Sequence, residues 1–271
     1  MDRRIIPANS RVADRKLQGQ VQAERYVDPQ PLAVSVPVAD ILGRPGGARD
    51  RQLLSGETFM VLEDRDGYAF GYGARDGYVG YIASDGLEPV GPEKTHFVSA
   101  RSTHVYPEPD FKSPEIVALP FGARIAVIGE TASFYQTTLG YIPRPHLTPV
   151  GFRYADPTEV ARLFLGVPYL WGGNSVWGID CSGLVQVALM ACGIDCPGDS
   201  DLQEQHFAAA ASQIRPSRLY FWKGHVALAV DDEMLIHANA FHMSVTLENT
   251  TDAIRRITDQ GDGEVTLQAG F

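Results

Sequence analysis

Apolar and polar positions alternate in short runs through the first half of the chain, whereas parts of the second half repeat every three to four residues. Between Val27 and Val90 the runs are brief, as where Thr58-Phe59-Met60-Val61-Leu62 gives way to Glu63-Asp64-Arg65-Asp66-Gly67. Alternation bounded by such turn residues predicts small strands. Asp76-Gly77-Tyr78-Val79-Gly80-Tyr81-Ile82 adds a turn, a strand and glycines that leave room for neighbouring backbone. A second stretch of similar size runs from His96 to Val150, with Arg124-Ile125-Ala126-Val127-Ile128 as a strand and Leu139-Gly140-Tyr141-Ile142-Pro143 near its end. Gly80-Tyr81-Ile82 and Gly140-Tyr141-Ile142 stand sixty residues apart, a short internal repeat.

After Val150 the pattern turns helical. Asp156-Pro157 reads as an N-cap followed by proline at the first helical position, opening a helix over Thr158 to Leu165. From Cys181 onward Leu184, Val185, Ala188 and Cys192 recur at helical spacing until Gly193 stops the run. Further on, Gly224-His225-Val226-Ala227-Leu228-Ala229-Val230, then Asp231-Asp232-Glu233, then Met234-Leu235-Ile236-His237-Ala238 read as a hairpin. If Val230 pairs with Met234, Ala227 faces His237 and His225 faces Asn239. Both histidines then share one face as diagonal neighbours, roughly 7 to 8 Å apart at the backbone. The turn lacks the glycine that a three-residue loop favours.

A chain of 271 residues accommodates two or three domains, and 44% hydrophobic with 21% charged residues is an ordinary globular composition. A formal charge of −10 opposes nucleic-acid and acidic-lipid partners. The arginines near the start are followed by no apolar h-region, and no run approaches membrane-spanning length, so the expectation is a cytoplasmic protein without membrane insertion. Three cysteines, Cys181, Cys192 and Cys196, do not make a disulfide framework. No second Cys or His pair gives them zinc spacing, and neither a metal nor another cofactor is expected.

A thiol in the first turn of a helix meets unpaired backbone amides and the positive end of the helix dipole, which favour the thiolate. Taken alone, Cys181 on that apolar stripe reads better as an inert core thiol. Two histidines on one face supply what it lacks: a base and a group to orient that base, the arrangement that activates a thiol for acyl transfer. His96, His104, His146, His206 and His242 read as ordinary surface or core residues.

Tyr169-Leu170-Trp171-Gly172-Gly173-Asn174-Ser175-Val176-Trp177-Gly178-Ile179-Asp180-Cys181-Ser182-Gly183-Leu184-Val185, with the two histidine runs, resembles the NlpC-type family of bacterial cell-wall cysteine peptidases. The two Gly-Tyr-Ile segments are similar to the closing strands of bacterial SH3-like domains. The resemblance implies an α+β fold: a papain-like catalytic domain over 151–271, preceded by two small all-β SH3-like barrels at 27–92 and 93–150, with 1–26 an N-terminal extension. It implies Cys181 as nucleophile, His225 as base, His237 as orienter and Tyr169 beside the tetrahedral oxyanion. Asp180, Ser182 and Ser200, by the same resemblance, contact substrate. One departure stands out: many relatives carry a Pro-Gly-Asp segment before the first histidine strand, where this chain has Arg215-Pro216-Ser217-Arg218-Leu219-Tyr220-Phe221-Trp222.

The implied substrate is a peptidoglycan-derived stem peptide, cut between γ-linked D-glutamate and the following diamino acid during cell-wall recycling. Relatives of this architecture recognise a free L-alanine amine with a glutamate and a tyrosine of the first SH3-like unit, for which Glu57 and Tyr78 are the matching positions. Glu57 as a solvated strand-end charge and Tyr78 as a core aromatic is the competing reading. Two other functions remain open: a different thiol-dependent amidase or acyl transferase on the same fold, and a non-catalytic peptide-binding protein. Intact Cys181, His225 and His237 weigh against the last.

Overall fold

The computed structural model describes residues 2–208 and 218–271. The chain divides into two compact units, Met1–Phe152 and Arg153–Phe271. Seven strands of the first unit form one antiparallel sheet in the order Arg49–Leu54, Val38–Leu42, Val79–Ala83, Tyr68–Gly73, Thr58–Arg65, Gln30–Val34, Leu87–Pro89. Their apolar sides meet over Ile41, Leu53, Phe59, Ala69 and Ile82. The strand opening at Thr58 runs to Arg65 rather than stopping at Leu62, because the turn is the pair Asp66-Gly67, both left-handed at φ 53° and 80°. Such two-residue turns match the twist of the flanking strands. Glu63 therefore lies within the sheet, where Arg11 and Arg25 each reach it at 2.6 Å.

The segment expected to be an extension packs onto this sheet. Val12 is buried with Leu62, Phe70 and Val79, and the Tyr72 hydroxyl donates to Asp14 at 3.0 Å. Three small sheets then surround a second core of Val98, Val105, Leu119, Ile125 and Ile142. The single strand expected over 124–128 is interrupted at Ala126. Arg124–Ile125 pairs with the strand at His96, whereas Val127–Glu130 pairs with Phe134–Thr137 in another sheet. Small β-structures turn corners by letting a strand change sheets.

The Gly-Tyr-Ile repeat extends to structure. Each tripeptide strand leads into a 3-10 turn, Ser84–Gly86 or Arg144–His146, and then a short strand, Leu87–Pro89 or Leu147–Pro149. Ile82 and Ile142 are core residues. A Cβ at Gly80 would collide with Ile41, and one at Gly140 with the Tyr106 carbonyl, so close approach requires glycine at both.

In the second unit, α1 (Pro157–Arg162) starts on Asp156, whose carboxylate accepts the Thr158 N–H at 2.8 Å. This helix ends before Leu165, and the chain leaves through left-handed Gly166 at φ 77°. The helix α2 (Cys181–Ala191) ends ahead of left-handed Gly193, and α3 (Ser200–Phe207) follows. Five strands form an antiparallel sheet: β1 (Leu219–Trp222), β2 (His225–Ala229), β3 (Met234–Asn239), β4 (Ser244–Asn249) and β5 (Leu267–Ala269). Their order is β4-β3-β2-β1-β5, and α4 (Thr250–Asp259) leaves the end of β4. Of the segment that departs from the family pattern, Leu219–Trp222 is β1, and Arg215, Pro216 and Ser217 lie outside the described residues.

The α2 helix packs on β2 and β3, burying Leu184, Val185, Ala188 and Leu189. The β2–β3 register has Leu228 opposite Ile236 and Ala229 opposite Leu235, with the Val230 N–H donating to the Met234 carbonyl at 2.8 Å. Here the turn works without glycine. The Asp231 carboxylate accepts the Glu233 and Met234 N–H groups at 2.8 and 2.7 Å, supplying the bonds that a left-handed glycine otherwise organises.

Candidate active site

Cys181 is the first residue of α2 and Asp180 is its N-cap. The Asp180 carboxylate accepts the Gly183 N–H at 2.6 Å, the Ser182 hydroxyl at 3.0 Å and the Gly172 N–H at 2.9 Å. One side chain thus closes the helix start and pins the glycine-rich loop that precedes it. That loop folds back as a small hairpin, Asn174–Ser175 on Gly178–Ile179, and the Asn174 amide donates to Gln186 of α2 at 3.0 Å. The thiol therefore sits on a helix whose entry is held from two directions, and it is 6% exposed.

The strands beneath α2 carry the histidines. Nε2 of His225 lies 2.9 Å from Nδ1 of His237. His237 is 1% exposed, whereas His225 is half-buried. Trp222, directly opposite His225 on β1, places its ring 5.5 Å from the imidazole. This apolar cover contributes to burial that pushes His225 well below the ordinary histidine value, with the neighbouring His237 and Arg256 acting in the same direction. Burial lowers His237 too, against the opposing influence of Glu248. Both imidazoles are thus held in the neutral form.

Two residues absent from the sequence-based set complete the cluster. Nε2 of His237 lies 3.0 Å from Oε2 of Glu248, and Arg256 grips both carboxylate oxygens, at 2.9 Å through Nε and 2.7 Å through the terminal nitrogen. Burial opposes the charge on Glu248, but the hydrogen bonds from His237 and Arg256 outweigh it and hold the carboxyl down at about 2. A signal for Glu248 lies in the alternation of Ser244–Asn249: Thr246 is opposite His237, so Glu248 is its diagonal neighbour on the same face. Gln203 is a third omission. It donates to the carbonyls of Ser182 and Pro197, both at 2.9 Å, tying α3 to the residue after Cys181.

Tyr169 is half-buried, its N–H donating to the Met243 carbonyl at 2.9 Å and its backbone bridging Ile179, two residues ahead of Cys181. Ser200 opens α3 after Asp199, whose φ is 59°. Ser182 and Asp180 are occupied with each other, and both are buried. Glu57 and Tyr78 belong to the interior of the first unit. Glu57 is 8% exposed, with Arg75 at 3.0 Å and the Leu54 N–H at 2.8 Å on its carboxylate, while Tyr78 is 3% exposed in the sheet core. The solvated reading of Glu57 is therefore corrected: the carboxylate forms a buried ion pair, and an ammonium bound there would compete with Arg75.

Residues 166–259 match the model of the NlpC/P60 family, and residues 42–87 match that of the bacterial dipeptidyl-peptidase SH3 domain. A gamma-D-glutamyl-L-lysine dipeptidyl-peptidase of Bacillus cereus is 30% identical over 140 residues, 48% of this chain and 40% of that protein. Dipeptidyl-peptidase 6 of Lysinibacillus sphaericus is 28% identical over 164 residues, 53% of this chain and 60% of that one. The chain thus spans less than two thirds of the length of either relative. The crystal structure of an NlpC/P60 family protein from Bacillus cereus superposes with a TM-score of 0.74, covering 89% of this chain and 99% of that chain at 18% identity, a likeness of fold.

Proposed function

Since the chain belongs to the NlpC/P60 family through residues 166–259, with a bacterial SH3 domain ahead of them, we propose that it is a cysteine endopeptidase acting on peptidoglycan stem peptides. The bond cut is that between γ-D-glutamate and the following diamino acid, in fragments whose L-alanine amine is free. The observation that carries this reading is Cys181 at the start of a helix packed on the strands where His225 and His237 meet at 2.9 Å. The names of two relatives as dipeptidyl-peptidases, one of them γ-D-glutamyl-L-lysine specific, support the choice of bond.

His225 takes the thiol proton as sulfur attacks the scissile carbonyl carbon. Electrons from the carbonyl double bond move to oxygen, and Tyr169 is the side chain that would donate to that oxyanion. Collapse expels the diamino acid amine, to which His225 returns the proton, leaving a thioester on Cys181. Water, deprotonated by His225, then attacks the thioester and releases the dipeptide acid and the free thiol. No step calls for a cofactor.

We place this activity in cytoplasmic cell-wall recycling. All three cysteines are free thiols, which suits a reducing compartment. Among the described residues no helix is long and apolar enough to cross a membrane. The test is mass spectrometry of L-alanyl-γ-D-glutamyl-diaminopimelate and its N-acetylated form after incubation with the protein. The expected products from the free tripeptide are L-alanyl-D-glutamate, its γ-carboxyl now free, and diaminopimelate, with Cys181→Ala inert. An intact tripeptide would refute the reading, and equal cleavage of the acetylated form would refute the requirement for a free amine.

A further inference from the structure

Behind His237 the chain continues as an ordered set of charged and polar contacts. Oε2 of Glu248 faces Nε2 of His237 at 3.0 Å, and Nδ1 of that ring faces Nε2 of His225 at 2.9 Å. Arg256 holds the carboxylate with two parallel hydrogen bonds, the geometry in which an ion pair also fixes orientation. Arg256 is itself held: its remaining terminal nitrogen donates to Gln260 at 2.9 Å, and its guanidinium lies over the Phe241 ring at 4.6 Å. The pair sits at the corner where β4 gives way to α4, a corner fixed by Asn249, whose side chain accepts the Thr251 and Asp252 N–H groups. Glu248 and Arg256 are largely buried, with side chains 14% and 17% exposed.

A carboxylate only accepts hydrogen bonds, so the nitrogen of His237 that faces it must carry hydrogen. In the neutral ring the other nitrogen, Nδ1, is then bare and can only accept. It faces Nε2 of His225, which must therefore donate. The nitrogen of His225 left with a free lone pair is Nδ1. Had Nδ1 of His237 carried the proton instead, the neutral pair would set a lone pair against the Glu248 carboxylate. The acidic group at the end of the row thus decides which nitrogen of the first ring is basic, two hydrogen bonds away.

We propose that Glu248, clamped by Arg256, is a positioning residue that fixes the proton on Nε2 of both His237 and His225, leaving Nδ1 of His225 as the nitrogen that receives the Cys181 proton. This rests on the reading of Cys181 and His225 as nucleophile and base. It extends the row from three residues to five, and it assigns Arg256 the role of keeping Glu248 ionised and aimed. Both groups act through His237, so their effect belongs to the chemical step and not to binding. Groups that surround the two rings and share in their charge balance are Glu248, Arg256, His242 and each other.

The experiment combines nitrogen-15 NMR of the histidine rings with kinetics, on wild type, Glu248→Gln and Glu248→Ala in the full chain. Two-bond hydrogen–nitrogen correlations read which nitrogen of each ring is protonated, with no substrate present. In wild type near neutral pH, His225 and His237 should both show the Nε2–H form. The Gln variant keeps the shape but lets an amide donor face the ring, so His237 should shift toward the Nδ1–H form. The Ala variant should show a mixture. With a cleavable stem tripeptide, kcat should fall roughly 10- to 100-fold in both variants, as for lost outer hydrogen-bond partners elsewhere, while KM stays within about twofold. A wild-type ring in the other tautomer, unchanged tautomers in both variants, or kcat within about twofold of wild type for Glu248→Gln would each overturn the proposal. If Glu248→Ala does not fold, the isosteric Gln variant decides. If wild type cleaves no tripeptide, the functional reading fails while the ring protons still test the positioning role.

Discussion

Cys181 and Cys192 stand eleven residues apart at opposite ends of one helix, and their surroundings give the two thiols different chemistry. Cys192 caps the C-terminal end, where burial, reinforced by the charges of Asp156 and Glu159, pushes its thiol up to about 11. At neutral pH it is protonated and a poor nucleophile. Cys196 is buried, its sulfur 3.7 Å from the Pro197 carbonyl. Cys181 has the helix start and the strand bearing His225 beside it. Brief treatment of the folded protein with iodoacetamide should therefore label Cys181 roughly tenfold or more faster than Cys192, read by peptide mapping. Equal rates at the two positions would remove the basis for calling Cys181 the nucleophile.

Asp180 shows how one side chain at an element boundary carries several duties. It caps α2, takes the Ser182 hydroxyl and holds the Gly172 amide of the preceding loop. With its acceptor positions engaged in this way, its structural role is explicit. Losing an N-cap costs about 0.5 to 2 kcal/mol, and the loop contact adds to that. Asp180→Ala should lower the melting temperature and kcat/KM together, while Asp180→Asn, which keeps an acceptor oxygen for Gly183, should recover most of the stability. An unchanged melting temperature in Asp180→Ala would contradict the capping role. The helix start and the histidine hairpin were legible in the sequence because both are local: an N-cap, a helical stripe and a three-residue turn fix them without distant partners. Glu248 was not, because its meaning depends on the pairing of β4 with β3 and on Arg256 arriving from α4. The break at Ala126 was hidden for a like reason, since an unbroken apolar run carries no mark of a strand that changes sheets. Glu63 reads as part of a turn and Glu57 as either an ammonium ligand or a solvated strand-end charge, yet arginines from elsewhere in the unit make each a buried partner.

At the scale of the molecule, these local charges set how stability responds to acid. His225 and His237 lie below their ordinary value of 6.5 in the folded chain, chiefly through burial. Below about pH 6.5 the unfolded chain binds protons that the folded chain refuses, so stability falls as pH is lowered. Glu248 has the same sign in a separate window. Its folded value of about 2 lies beneath the ordinary 4.5, so its contribution is present above about pH 4.5 and is lost toward pH 2. His96 and His146 are also lowered by burial, in the first unit, so a global probe would mix the two units. The tryptophans separate them: Trp171, Trp177 and Trp222 all belong to the second unit, and Trp222 is 1% exposed in its core. The urea midpoint followed by tryptophan fluorescence should therefore fall between about pH 6.5 and pH 5 in wild type. In His237→Asn, which removes one of the two titrating rings, the fall over that interval should be shallower, and both proteins should lose further stability below about pH 4.5. A midpoint that stays level from pH 7 to pH 5 in wild type, or one that falls equally in His237→Asn, would show that the histidine pair is not held neutral by the fold.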